Sequence, residues 1–158
     1  MGIQDLPTIP IKGQRRNLDE RWLGELNREG LAAFRFQFPE PPASLDEAVA
    51  QFNRGQYWQC HETLERIWLP EQYPLRLFYQ GLIKAAVGLL HLEGHNRRGA
   101  RAKLKEAART LAPFSPSTLG IDVDQLRNDI IQRLAAIEDD SPLAWEDIGR
   151  LSAVLIRK

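Results

Sequence analysis

The sequence predicts an all-α protein: a compact bundle of five to six helices around a central antiparallel helical hairpin, with an N-terminal arm. Three observations carry this expectation. Apolar residues recur at i, i+3, i+4 and i+7 through most of the chain. Capping residues and Gly or Pro stops punctuate those stretches at helix-length intervals. Strand-like alternation appears only at Phe34, Phe36 and Phe38, interleaved with Arg35 and Gln37.

Taken in order, Asn17 with Glu20 reads as an N-cap and its capping-box partner, and Leu18, Trp22 and Leu26 continue at helical spacing to Gly30. The three alternating phenylalanines and Pro39, Pro41 and Pro42 complete an arm over residues 1–43, expected to lie along a bundle domain of residues 44–158. Ser44 and Glu47 form a second capping box, followed by Leu45, Ala48, Val49 and Phe52 and a stop at Gly55. Residues 56–69 make the first arm of the predicted hairpin, with Tyr57, Cys60, Leu64, Ile67 and Trp68 apolar and Pro70 ending it. Residues 74–93 make the second arm. Gly81 and Gly88 lie seven apart within it, and each costs about 1 kcal/mol of helix propensity, so close approach of a neighbouring helix is the expected compensation. Asn96 caps a helix to about Leu111, Asp122 and Gln125 open another, and a last helix is expected over about 144–156.

The composition narrows the function classes. With 158 residues, 43% apolar and 27% charged, the chain can build a core without a disulfide or a structural metal. Lys plus Arg equals Asp plus Glu at 21 each, which gives no overall field to attract nucleic acid. A single cysteine suits a reducing compartment, and residues 1–16 lack the apolar stretch of a secretory signal, so a cytoplasmic location is expected. The longest apolar run, Ala85 to Leu90, is far shorter than the roughly 20 residues of a membrane span.

The densest motif runs from Phe52 through Gly55, Tyr57, Trp58, His61, Glu62, Glu65 and Trp68, and is joined by Gln80-Gly81, His91 and the Asn96–Ala100 segment. These residues in this order resemble the bacterial and archaeal family known as domain of unknown function 309, over roughly residues 45–111. The resemblance implies an all-helical fold and, through the label of predicted metal-dependent hydrolase that the family sometimes carries, a divalent-metal site. Read directly, His61 and Glu65 are i, i+4 neighbours on a helix, a spacing at which an imidazole and a carboxylate can share one ion. Glu62 stands where zinc enzymes with an H-E-x-x-H helix keep their general base. Glu65 in place of the second histidine makes the donor set harder and less specific for zinc. His91 is the candidate third ligand. In a simple hairpin, however, it lies about nine residues, or roughly 13 Å, beyond the level of His61. The same residues also fit a structural reading, in which His61, Glu65 and Gln80 satisfy one another's hydrogen bonds between helices. Cys60 and His61, adjacent on a helix, do not face each other and do not make a nucleophilic pair.

A second signal is a basic stripe of Arg97, Arg101, Lys105 and Arg109, spaced by four. Acidic residues dominate the segment 115–147, so the stripe is expected to be neutralised within the chain or across a dimer; an acidic protein partner or a phosphate-bearing ligand also fits it. No nucleic-acid motif accompanies it. The preferred reading is therefore a small cytoplasmic helical module that self-associates or binds a partner. The alternatives are a metal-dependent hydrolase, with His61, Glu65 and His91 as ligands and Glu62 as base, and phosphate or RNA binding through helix 97–109.

Overall fold

A computed structural model, which describes residues 2–33, 38–138 and 144–158, bears out the helical expectation. Among the described residues it contains α1 (Arg15–Glu29), α2 (Ala43–Asn53), α3 (Tyr57–Trp68), α4 (Leu75–Glu93), α5 (Arg97–Leu111), α6 (Val123–Ala136) and α7 (Trp145–Gly149). Strands β1 (Ser117–Thr118) and β2 (Ile121–Asp122) pair antiparallel between α5 and α6.

Helix α4 is the axis of the molecule. Its sequence is apolar on nearly every side, and from Leu75 to Leu82 every residue is buried. Such a helix needs cover all round. Helix α3 lies on one side of α4, and α5 makes the most extensive packing on another. The two glycines explain that intimacy. A Cβ at Gly81 would sit 2.7 Å from Leu111 Cγ, and one at Gly88 would sit 2.8 Å from Leu104 Cγ and 3.2 Å from the Leu104 backbone nitrogen. Gly81 therefore meets Leu111 and Gly88 meets Leu104, two pairs seven residues apart on antiparallel helices. The close approach expected at Gly81 and Gly88 is made within one chain.

Helix α1 joins the same hydrophobic cluster through Leu18, Trp22, Leu23 and Leu26. Trp22 is fully buried, stacks on Tyr73 at 5.6 Å and donates its indole N–H to the Pro7 carbonyl at 2.8 Å. The segment before α1 is strapped down as well: Ile3 and Leu6 are buried, and the Tyr73 amide donates to Thr8 O at 2.8 Å.

Several local expectations need correction. Helix α1 starts at Arg15, so Asn17 lies inside it rather than capping it. Helix α2 starts at Ala43 with Pro42 at the cap, which removes Ser44 from that role. Asn96 and Asp122 do cap, accepting from Gly99 N and Gln125 N at 2.9 Å each. The hairpin Ser117–Asp122 turns through Leu119 and Gly120, both with positive φ, a two-residue connection suited to the twist of paired strands. The last helix stops at Gly149, and residues 152–158 form neither helix nor strand. Val154 and Ile156 alternate into the core, and Asn53 brackets Ile156, accepting from its N–H at 2.7 Å and donating to its carbonyl at 2.8 Å. Of the alternating phenylalanines, Phe34 and Phe36 lie outside the described residues, and Phe38 packs half-buried on the core. No helix among the described residues is long and apolar enough to cross a membrane.

Candidate functional site

The amphipathic pattern of α3 decides which of its motif residues face outward. Cys60, Thr63 and Leu64 form the inner face and are fully buried. Burial pushes the Cys60 thiol up to about 12, so it is an unreactive core group. The outer face carries Trp58, Glu62, Glu65 and, at the C-cap, Leu69, a spacing of i, i+4, i+7 and i+11 that draws one line along the helix. Trp58 is 55% exposed and Leu69 65% exposed. His61 sits beside this line. Its Nε2 is 3.1 Å from Glu65 Oε1, and its ring lies 5.2 Å from that of Trp58. His61 Nδ1 is buried without a hydrogen-bond partner among the described residues.

The turn between α3 and α4 is held by a residue that sequence reasoning passed over. Arg76, buried at the start of α4, donates to the carbonyls of Trp68 and Leu69 at 3.0 and 3.2 Å and lies 4.1 Å over the Trp68 ring. It thereby satisfies the last carbonyls of α3 and places a cation at the negative end of that helix. An arginine inside an otherwise apolar helical stretch was the available signal.

Gln80 does not join His61 and Glu65. It donates through Nε2 to Asp19 Oδ2 at 3.1 Å, while the Tyr73 hydroxyl donates to Asp19 Oδ1 at 2.5 Å and Arg15 reaches Oδ2 at 3.3 Å. The buried polar cluster of this fold is thus Asp19, Tyr73 and Gln80, linking α1 to α4. Burial and the Asp19 bond together push the Tyr73 hydroxyl well above its ordinary range. Asp19 and Tyr73 are far apart in sequence, and nothing in the local pattern pairs them.

The proposed ligand set for a metal is not gathered. His61 and Glu65 are together, whereas His91 lies toward the far end of α4, where its Nδ1 is 3.2 Å from Asn96 Nδ2. Among the described residues no three His, Cys, Asp or Glu side chains converge on a point that could hold an ion. His61 and Glu65 alone supply two donors, one short of the three protein ligands of a catalytic zinc site, so within one chain the described residues do not fit the divalent centre that the resemblance implies.

The basic stripe is likewise redistributed. Arg109 forms a two-pronged pair with Glu20 of α1, Arg101 lies 3.9 Å from Glu138, and Arg97 lies 4.7 Å over the Trp145 ring. Lys105 is exposed. The Arg109 bond holds the Glu20 carboxyl below its usual range. One end of the stripe, with α1 and α4, borders a polar cleft of about 420 Å³.

Comparison with known proteins places the motif in the same part of the chain. An uncharacterized protein from Aquifex aeolicus (strain VF5) is 28% identical over 99 residues, covering 62% of this chain; the chain spans 30% of the length of that relative. No solved structure matches. The residues from 45 to 102, which run from α2 into the first turns of α5 and include the whole outer face of α3, match the family model of a domain of unknown function (DUF309).

Proposed function

We propose that this chain is a partner-binding module whose docking surface is the outer face of α3, and that its partner presents a cationic amphipathic helix. The observation that carries the reading is the pair of large apolar side chains, Trp58 and Leu69, more than half exposed at the two ends of a stripe whose middle is acidic. Eleven residues of helix span about 16 Å, the length of three turns of a partner helix laid alongside. Exposed tryptophan supplies large contact area at low entropic cost and dominates many interfaces. Glu62 and Glu65 between the two anchors select lysine or arginine on the partner. They also oppose a two-fold contact between copies of this chain, because that symmetry would set the acidic centres of the two stripes against each other. The relative from Aquifex aeolicus, in which the matching region is under a third of a longer protein, is in keeping with a module that works in combination with other parts. The free thiol of Cys60 fits action in the cytoplasm.

The test is a titration with a synthetic amphipathic helical peptide bearing one leucine face and one lysine face, against the same peptide with glutamate for lysine. The lysine peptide binds, the glutamate peptide does not, and Glu62→Lys/Glu65→Lys protein loses about ten-fold or more in affinity for the lysine peptide. Equal binding of both peptides, no binding of either, or indifference to charge reversal refutes the reading. So does sedimentation showing that the stripe pairs with a second copy of the chain.

A further inference from the structure

The cleft between α1, α4 and α5 is separate from the α3 stripe, and no α3 residue lines it. We propose that it binds a small phosphorylated molecule. Five cationic side chains border it: Arg15 and Arg16 from α1, Lys84 from α4, and Lys103 and Arg109 from α5. Three carboxylates stand among them, and each is already engaged. Asp19, on the buried side, accepts from Tyr73, Gln80 and Arg15. Glu20 is held by both prongs of Arg109. Glu106 alone serves two lysines, Lys84 at 3.4 Å and Lys103 at 3.5 Å. Arg16 has no acidic partner among the described residues. Five cations against three acids leave two positive charges uncompensated, the charge of one phosphate dianion with the sign reversed.

The start of α1 points the same way. Its first turn carries Arg15 and Arg16 and no acid, and the N-cap Gln14 makes no side-chain bond to the free amides. Cations at a helix N-terminus work against the helix's own field, whereas an anion placed among them reverses that cost. The walls are also fixed in advance. The Asp19–Tyr73–Gln80 network ties α1 to α4, and the contacts at Gly81 and Gly88 lock α4 against α5. A cleft of about 420 Å³ suits a small molecule. It does not extend into a track for a polymer, because Arg101 faces Glu138 and Arg97 lies over Trp145. With zero net charge on the whole chain, the attraction is local to the cleft.

The experiment is calorimetric titration of the full chain with inorganic pyrophosphate at constant ionic strength. Wild type binds one equivalent. Arg16→Ala and Lys103→Ala, both changes on the solvent side of the cleft, each weaken binding about ten-fold or more, while Lys105→Ala, on α5 but outside the cleft, leaves it unchanged. No binding at millimolar pyrophosphate overturns the proposal. Equal weakening by Lys103→Ala and Lys105→Ala overturns it too, since that marks diffuse attraction to a basic helix. So does tighter binding of single-stranded RNA than of pyrophosphate, with a steep salt dependence.

Discussion

Replacing Gly88 by alanine tests the packing that positions every other element. In an exposed helix interior the change would stabilise by about 1 kcal/mol, because alanine costs less backbone entropy. Here the new Cβ would stand 2.7 Å from Leu104 Cδ2, 2.8 Å from Cγ and 3.2 Å from the Leu104 backbone nitrogen. Leu104 is fully buried and has no solvent to retreat into. Rotating its side chain leaves the backbone contact in place, so α5 itself must move outward by several tenths of an ångström. Overpacking of this kind costs about 1–3 kcal/mol, and the displaced helix also loses contact at Ala100, Ala107 and Leu111. Against the propensity gain, the net expectation is a loss of about 1–2 kcal/mol. Urea unfolding followed by circular dichroism reads it as a lower midpoint at unchanged slope. Gly24→Ala is the internal control. Gly24 lies in α1, is exposed, and has nothing within 4 Å of the added carbon, so the same substitution there should stabilise by about 0.5–1 kcal/mol. If Gly88→Ala proves as stabilising as Gly24→Ala, the close antiparallel contact of α4 and α5 is wrong.

Other consequences can be read with the same assays. Asp19→Ala strands the Tyr73 hydroxyl and the Gln80 amide in the interior and should cost about 2–4 kcal/mol, with Asp19→Asn recovering part of it; a loss under about 0.5 kcal/mol would show that the network contributes nothing. Burial raises the Cys60 thiol to about 12 from 9.0 and the Tyr79 hydroxyl to about 12 from 10.0. These groups keep their protons in the folded chain while the unfolded chain loses them, so stability is full below about pH 9 and falls as pH rises toward 12. The slope is about 1.4 kcal/mol per pH unit for each group titrating, and Cys60→Ala should remove the sulfur's share; a flat profile across that range contradicts the burial. In native protein at mildly alkaline pH, Cys60 should resist alkylation until denaturant is added.

The helical elements were legible because each carries its own evidence. The apolar spacing of α2, α4 and α5 and the caps at Asn96 and Asp122 are local patterns that the fold keeps, whereas the equally local cap signatures at Asn17 and Ser44 fall inside α1 and α2. The close approach at Gly81 and Gly88 was legible because the two lie seven apart in a helix that is apolar on nearly every side. Elements whose shape depends on distant partners were not. The tail from 152 to 158 is not helical, and Asn53, a hundred residues earlier, holds Ile156 there, a pairing that no short-range rule reports. The hairpin at Leu119-Gly120 is too short for its alternation to register. At the candidate site, the sequence drew attention to the motif on α3 but could not place its neighbours. Gln80 belongs with Asp19 and Tyr73, and the metal reading needed His91 a long way down α4. The basic stripe looked continuous because i+4 spacing ignores what stands opposite: Glu20, Glu138 and Trp145 each take one of its members.

The most direct test of the central claim is to measure stability and peptide binding together on one double variant, Trp58→Ala/Leu69→Ala. Both side chains are more than half exposed, so removing them should leave the unfolding midpoint within about 0.5 kcal/mol of wild type. If the outer face of α3 is the docking surface, affinity for the leucine–lysine helical peptide falls about ten-fold or more in the same sample. A variant that binds the peptide as wild type does, or that loses about 2 kcal/mol of stability, would make these residues ordinary parts of the scaffold and contradict the account.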